Sequence, residues 1–174
     1  ELDLFNYDDT KEYFLRNKID VVILSAAKVG GIRANLTYPV DYLLENLKIQ
    51  NSVIEAAWRV NVKRFLFIGS SCIYPKFSEQ PIKEKELLSG YLEPSLEPYA
   101  LAKITGIKLC RALRSQYGFD AISLMPSNMY GAGDNFNDKN SHVLASLIRR
   151  FHEAKISGKN KVVCWGSGNV FREF

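Results

Sequence analysis

The sequence has few cysteines and lacks a long apolar run. Its three cysteines, Cys72, Cys110 and Cys164, are far apart and form no C-x-x-C pair among the 174 residues. This pattern argues against a disulfide framework and a zinc site, so we expect no metal and a reducing, cytoplasmic compartment. Apolar runs such as residues 21–27 are far shorter than the roughly 20 residues that span a membrane. No membrane partner is therefore expected.

The sequence also lacks a concentrated block of positive charge. Its formal net charge is +4, but lysines and arginines are scattered and do not alternate with aromatic residues. A nucleic-acid partner is therefore not expected. A hydrophobic content of 47% is ordinary for one globular domain with a real core.

Apolar segments of two kinds alternate along the chain. Short continuous runs predict strands and longer periodic segments predict helices. The run at 20–25 is typical of a parallel strand that is covered on both faces. This order predicts an α/β fold with a doubly wound parallel sheet, in which ligands bind beyond the carboxyl ends of the strands. The predicted strands are 20–25, 64–68, 121–125 and 162–165, and the predicted helices are 8–17, 39–61, 98–117 and 141–155.

The two longest predicted helices each begin at a proline, Pro39 and Pro98, which suits the first helical turn. The apolar periodicity predicts which of their residues face the core. In the first helix these are Val40, Leu43, Leu44, Leu47, Ile54, Ala57 and Trp58, and in the second they are Leu101, Ile104, Leu109 and Leu113.

Tyr99 and Lys103 lie one helical turn apart, so their side chains leave the same face of the second long helix. A neighbouring ammonium favours the phenolate and makes the phenol a better acid. The spacing alone is weak evidence, because Tyr7 and Lys11 share it. However, the strand before Tyr99 ends in Gly-Ser-Ser, and Ser70 could donate a hydrogen bond to the carbonyl that Tyr99 protonates.

Ser70, Tyr99 and Lys103 together resemble the Ser-Tyr-Lys triad of the short-chain dehydrogenases/reductases. This resemblance implies that the predicted parallel sheet is Rossmann-like and incomplete. The run at 46–57 looks like the extended branch of that family, which acts on nucleotide sugars. Several segments are more closely similar to the GDP-L-fucose synthases. They are 26–32, 69–76, 97–103, 140–143, 149–154, 165–168 and 172–174.

The resemblance implies an NADPH-dependent enzyme that epimerises GDP-4-keto-6-deoxy-D-mannose at C3 and C5 and reduces it at C4, giving GDP-L-fucose. Ser70, Tyr99 and Lys103 would serve the reduction. The resemblance assigns the acid and base of the epimerisations to Cys72 and His142, and thiols and imidazoles are residue types whose ordinary pKa values in water are close enough to neutral pH for proton exchange. The resemblance implies that the full-length protein is a homodimer, and the two long helices are the candidate interface.

The resemblance also implies the binding residues. Residues 1–135 would be part of an NADP-binding Rossmann domain, and 136–174 would begin a smaller substrate-binding lobe. Arg150, Trp165 and Arg172 would contact the GDP-sugar. The NADP(H) site would include Asp3, Leu4, Ala26, Ala27, Ser70, Tyr99, Lys103, Pro126, Ser127, Asn128, Met129 and His142.

The chain contains no G-x-G-x-x-G turn, which in this family precedes the segment matched by Glu1. We therefore interpret it as a fragment and expect it to bind cofactor poorly and to turn over slowly or not at all. One alternative is another extended family member, a 4-epimerase or 4,6-dehydratase. Dehydratases carry an acidic pair where Cys72 and Ile73 stand, which disfavours them. A catalytically silent NADP-binding relative is the other alternative.

Overall fold

The computed structural model describes residues 2–137, 141–164 and 166–169. Two 3-10 helices, Ser71–Ile73 and Glu84–Glu86, lie between β2 and α4. The main elements in chain order are α1 (Tyr7–Asn17), β1 (Val21–Leu24), α2 (Ile32–Thr37), α3 (Pro39–Arg59), β2 (Arg64–Ile68), α4 (Glu97–Tyr117), β3 (Ala121–Leu124) and α5 (Val143–Ile156).

The three strands form one parallel sheet in the order β1-β2-β3. Val22 pairs with Phe65, and Phe65 pairs with Ala121. Parallel strands joined by helical connections confirm the predicted α/β class. Because the strands are parallel, the segments that follow their carboxyl ends meet at one edge of the sheet.

The two faces of the sheet differ in burial. Val22, Leu24 and Phe67 are buried, whereas Val21 and Ile23 are 55% and 62% exposed. The prediction that the run at 20–25 is covered on both faces is therefore wrong for β1 in this chain. The reason is that α3 and α4, the described helices that contact the sheet most, pack against the face that carries Phe67.

The predicted bounds of the two long helices are confirmed to within two residues, but the predicted inward stripe of α3 is wrong in part. Val40 and Leu44 are 66% and 46% exposed, whereas Tyr42, Asn46 and Gln50 are buried. Two of these polar side chains bond to distant backbone. Asn46 binds Lys28, and Gln50 Nε2 donates to the Ala102 carbonyl at 2.7 Å. The burial of Asn46 and Gln50 is tolerated because their amide groups form hydrogen bonds with backbone atoms.

The inward face of α4 is built from small residues. Ala100, Ala102 and Gly106 are buried, whereas Leu101, predicted to face inward, is 43% exposed. A Cβ at Gly106 would overlap the ring of Phe67. Close approach of the helix to the sheet therefore requires small side chains at this contact, and hydrophobic periodicity overlooks them.

Two further expectations near the carboxyl end of the chain need correction. Residues 162–164 form no strand, and Val163 is 75% exposed. Helix α5 begins at Val143 with His142 as its N-cap residue, rather than with Ser141 in that role. Among the residues with described positions, no helix is long and apolar enough to cross a membrane.

Candidate active site

The chain turns sharply where β2 ends. Gly69 is buried, its N–H donates to the Leu124 carbonyl at 2.7 Å, and a Cβ here would lie only 3.1 Å from that oxygen. Ser70 then caps a short 3-10 helix, and its Oγ lies 3.5 Å from the Cys72 backbone nitrogen that donates to it. This turn brings the hydroxyl of Ser70 and the thiol of Cys72 to the carboxyl edge of the sheet.

Tyr99 and Lys103 reach the same edge from the first turns of α4. Lys103 is only 4% exposed, and its Nζ donates to the carbonyl of Ile68, the last residue of β2, at 2.8 Å. The same Nζ lies 5.8 Å from the centroid of the Tyr99 ring. The carbonyl and the ring together hold a buried cation beside the phenol.

The structure brings Ser70, Cys72, Tyr99 and Lys103 into one electrostatically coupled cluster. Burial raises the pKa of Tyr99, the negative charge of a Cys72 thiolate raises it further, and a hydrogen bond with the Ser70 side chain lowers it. The expectation that the ammonium would make this phenol more acidic is not met, because burial dominates. The phenol therefore stays protonated at neutral pH and is available as a proton donor.

Burial also governs the thiol and the ammonium of this cluster. It raises the pKa of Cys72, against the opposing effects of the Ser70 hydrogen bond and the Lys103 charge. It lowers the pKa of Lys103 to about 8, against the opposing effect of a Cys72 thiolate. Burial therefore disfavours the charged form of both groups, the thiolate of Cys72 and the ammonium of Lys103.

His142 stands apart from this cluster. It is exposed at the N-terminus of α5, and its side chain makes no hydrogen bond with any residue of the described part of the chain. A Cβ at Gly31 would lie 3.7 Å from the Ser141 carbonyl, so the start of α5 adjoins the loop after β1.

The predicted cofactor residues other than Ser70, Tyr99, Lys103 and His142 fall into three segments. Ala26 and Ala27 follow β1, and Pro126, Ser127, Asn128 and Met129 follow β3, so both segments leave the carboxyl edge that Ser70 occupies. Met129 is 70% exposed there. Asp3 and Leu4 form the turn before α1, where Asp3 Oδ1 accepts from the Phe5 nitrogen at 2.9 Å and Leu4 packs against the core.

Of the three predicted substrate residues, one lies in the described part of the chain. Arg150 belongs to α5, and its guanidinium donates to the Val163 carbonyl. Trp165 and Arg172 lie outside the described residues. The described residues include no group of three or more His, Cys, Asp or Glu side chains that could hold a metal ion.

Sequence reasoning missed Asn46, which holds the loop after β1 in place. Asn46 is 2% exposed, its Oδ1 accepts from the Lys28 nitrogen at 2.9 Å, and its Nδ2 donates to the Lys28 carbonyl at 3.0 Å. Nδ2 also donates to the Tyr42 carbonyl at 2.7 Å. The available signal was the i, i+4 spacing of Tyr42, Asn46 and Gln50, a polar stripe within an amphipathic helix.

We expect Asn46→Asp to destabilise the protein by about 2–4 kcal/mol at neutral pH. The substitution keeps the shape, but it removes the donor to the carbonyls of Lys28 and Tyr42 and buries a carboxylate. Urea unfolding measures the effect. The control is Asn51→Asp, on the exposed face of the same helix, which should change the unfolding free energy by less than about 0.5 kcal/mol. Equal effects of the two substitutions would contradict the role of Asn46.

The parallel sheet, with Ser70, Tyr99 and Lys103 at its carboxyl edge, defines a Rossmann-type α/β chain, and sequence comparison agrees with this class. The chain matches the NAD dependent epimerase/dehydratase family over residues 1–174. It belongs to this family.

Individual relatives make the likeness more specific. The chain is 58% identical to GDP-L-fucose synthase 1 of Arabidopsis thaliana, covering 100% of this chain and 54% of that protein. It is 53% identical to GDP-L-fucose synthase of Escherichia coli (strain K12), again over 100% of this chain and 54% of that protein. The chain thus spans about half the length of these curated relatives.

A solved structure extends the likeness to the fold. A GDP-L-fucose synthetase from Naegleria fowleri bound to NADP superposes with a TM-score of 0.84 at 32% sequence identity. The match covers 97% of this chain and 55% of that structure.

Proposed function

We propose that the full-length protein converts GDP-4-keto-6-deoxy-D-mannose into GDP-L-fucose, by epimerisation at C3 and C5 and NADPH-dependent reduction at C4. The observation that carries this proposal is the cluster of Ser70, Cys72, Tyr99 and Lys103 at one edge of the sheet. A plain ketone reductase needs the hydroxyl, the phenol and the ammonium. The coupled thiol is the additional group that an epimerase requires.

In the reduction, NADPH would supply a hydride to C4 of the sugar. Tyr99 would give its phenolic proton to the C4 oxygen; the phenol is protonated at neutral pH, and burial raises its pKa and so makes it a weaker acid than in water. Ser70 would donate a hydrogen bond to the same oxygen. The ammonium of Lys103 stabilises the negative charge that develops there.

In each epimerisation, one group removes a proton beside the C4 ketone and another returns a proton on the opposite face of the ring. We assign these roles to Cys72 and His142. Cys72 lies inside the cluster, and the positive charge of Lys103 favours its thiolate. His142 would act from the start of α5, whose adjacent Ser141 adjoins the loop after β1. Burial raises the pKa of Cys72 and opposes the charge effect of Lys103, so the thiol is mainly protonated in the free protein and is available as the acid of the pair.

The cofactor is proposed to be NADP(H), in agreement with the NADP bound to the Naegleria fowleri relative. The carboxyl edge of the sheet fits such a molecule. The short side chains of Ala26 and Ala27 would let the cofactor approach the protein backbone closely, and Lys103 supplies a cation. The other proposed contacts are Asp3, Leu4, Ser70, Tyr99, Pro126, Ser127, Asn128, Met129 and His142. Residues 1–135 would form the NADP-binding part and 136–174 the start of the substrate-binding lobe.

The GDP-sugar is proposed to contact Arg150, Trp165 and Arg172, since guanidinium groups pair well with diphosphates.

A homodimer through α3 and α4 is supported by the exposed apolar residues Val40, Leu44 and Leu101. A cytoplasmic location is supported by three cysteines that are all free thiols. Sedimentation of the full-length protein at twice its monomer mass would support the dimer, and a monomer would refute it.

The overall reaction is tested by incubating the full-length protein with GDP-4-keto-6-deoxy-D-mannose and NADPH. GDP-L-fucose is the expected product. A reduced sugar without inversion at C3 and C5 would refute the epimerase part, and the absence of NADPH consumption would refute the whole proposal.

Cys72→Ala should separate the two activities. We expect incorporation of solvent deuterium at C3 and C5 to fall by about 10²–10⁴-fold, because the alanine can neither take nor give a proton. Reduction of a 4-keto sugar that is already epimerised should change much less, because Tyr99 remains. Cys164→Ser is the control, since Cys164 is an exposed free thiol. Wild-type deuterium exchange in Cys72→Ala would contradict the assignment.

A further inference from the structure

A glycine in the loop after β1 lies against a buried tyrosine of α3. A Cβ built on Gly30 would overlap the hydroxyl oxygen of Tyr42, whereas the next nearest atoms, Tyr42 Cζ and Ala34 Cβ, would be 3.3 and 3.4 Å away. The hydroxyl is therefore the main obstacle to a side chain at this position, because the other two contacts are tight but need only a small shift. Tyr42 is 4% exposed, so its ring has little free space into which it could move.

The loop cannot easily move away from Tyr42, because two buried asparagines hold it. Asn35 is 3% exposed, and its Nδ2 donates to the carbonyls of Gly30 and Gly31 at 3.0 and 3.2 Å. Asn46 binds both the nitrogen and the carbonyl of Lys28. Moving the loop would break these four part-buried hydrogen bonds, so an added methyl group would displace Tyr42 instead.

The ring of Tyr42 in turn contacts the ring of Tyr99. Their centroids are 6.5 Å apart with planes at 81°, an edge-to-face arrangement. Such aromatic pairs have preferred geometries, so each ring restricts the orientation of the other. The chain of contacts thus runs from Gly30 through Tyr42 to Tyr99.

We propose that Tyr42 is a positioning residue that fixes the ring of Tyr99 for proton transfer, and that Gly30 is required because it leaves room for the Tyr42 hydroxyl. The inference rests on the proposed function for the role of Tyr99 as the acid. The contact between Gly30 and Tyr42 stands independently of that role.

A double-substitution cycle in the full-length protein tests the inference. Gly30→Ala should lower kcat for reduction by about tenfold or more with little change in KM, because misplacement of the acid affects the transition state. Tyr42→Phe should stay within about threefold of wild type, since the ring is kept. Gly30→Ala combined with Tyr42→Phe should recover to within about threefold of Tyr42→Phe, because the clashing oxygen is gone.

The matched control is Gly31→Ala, in the same loop. Its added Cβ would lie 3.7 Å from the nearest atom, and Gly31 has the ordinary backbone angles φ −67° and ψ 172°. Wild-type kcat in Gly30→Ala, or failure of Tyr42→Phe to restore it, would overturn the inference. If Gly30→Ala alone does not fold, recovery of folding and activity in the double variant supports the inference and its absence overturns it.

A crystal structure of Gly30→Ala separates this inference from the proposed function. If the wild-type protein does not reduce the GDP-keto sugar, the proposed function fails, but the crystal structure still measures the contact. Displacement of both the Tyr42 and Tyr99 rings supports the inference. A Tyr99 ring that keeps its place while the Tyr42 ring moves overturns it.

Discussion

Tyr99→Phe in the full-length protein is expected to lower kcat for reduction of the keto-sugar by about 10²–10⁴-fold while KM changes little. The phenolic proton goes to the C4 oxygen as the hydride arrives, so its loss removes an interaction made mainly in the transition state. The ring remains, and so does its edge-to-face contact with Tyr42. Steady-state kinetics with NADPH absorbance measures the effect.

The sequence supplies a matched control for this substitution. Tyr7 and Lys11 have the same spacing as Tyr99 and Lys103, and Lys11 Nζ lies 5.7 Å from the Tyr7 ring centroid. They belong to α1 rather than to the helix that follows the Ser70 turn. Tyr7→Phe should therefore leave kcat unchanged. A comparable loss in the two variants would mean that the Tyr99 effect is not catalytic.

Lys103→Met should have opposite effects on activity and stability. Activity should fall by about 10²-fold or more, because the developing negative charge loses its nearest cation. The unfolding free energy should rise at pH 7 by about 1 kcal/mol. Lowering the pKa of Lys103 from 10.5 to about 8 corresponds to about 3 kcal/mol of burial penalty, from which the lost hydrogen bond to Ile68 must be subtracted.

The pH dependence of this stability difference has a definite sign. Below pH 8, Lys103 is charged in both the folded and the unfolded states, so the folded wild type carries the whole penalty. Between pH 8 and 10.5 the unfolded chain holds a proton that the folded protein has released, so wild-type stability rises with pH. The stability advantage of Lys103→Met should therefore shrink as pH rises from 7 to 10.

Urea unfolding of both proteins at pH 7 and pH 10 measures this advantage. Lys108→Met is the control, since Lys108 lies on the exposed face of α4. It should change the unfolding free energy little at either pH. An advantage of Lys103→Met that is independent of pH would contradict a buried ammonium at this position.

Element type was predictable because it depends on local pattern. The strand at 64–68 and the proline-started helices follow from runs and periods that neighbouring residues determine. Burial was less predictable. Val40 and Leu44 match the apolar period, yet they are exposed, because the buried face of α3 is selected by the hydrogen bonds of Asn46 and Gln50 to distant segments. The hydrophobic periodicity of a helix records the spacing of its apolar residues and carries no information about hydrogen-bond partners elsewhere in the chain.

The residues of the candidate site also fall into those that the sequence indicated and those that only the structure revealed. The sequence brought Ser70, Tyr99 and Lys103 together through topology, because a parallel sheet places the end of β2 beside the start of the following helix. It also indicated Cys72, two residues from Ser70. It did not indicate Tyr42 or Gly30, whose contact joins residues that lie far from Tyr99 along the chain.

By itself, the sequence determined the order of the three strands and of the two long helices between them, the parallel sheet and the identity of the chemical groups at its edge. Only the tertiary structure decided their protonation, since burial raises the pKa of Tyr99 and lowers that of Lys103. Side-chain identity fixes the pKa of a group in water, but the free energy of charging it in the protein depends on the atoms that replace the water, and folding alone brings those atoms together.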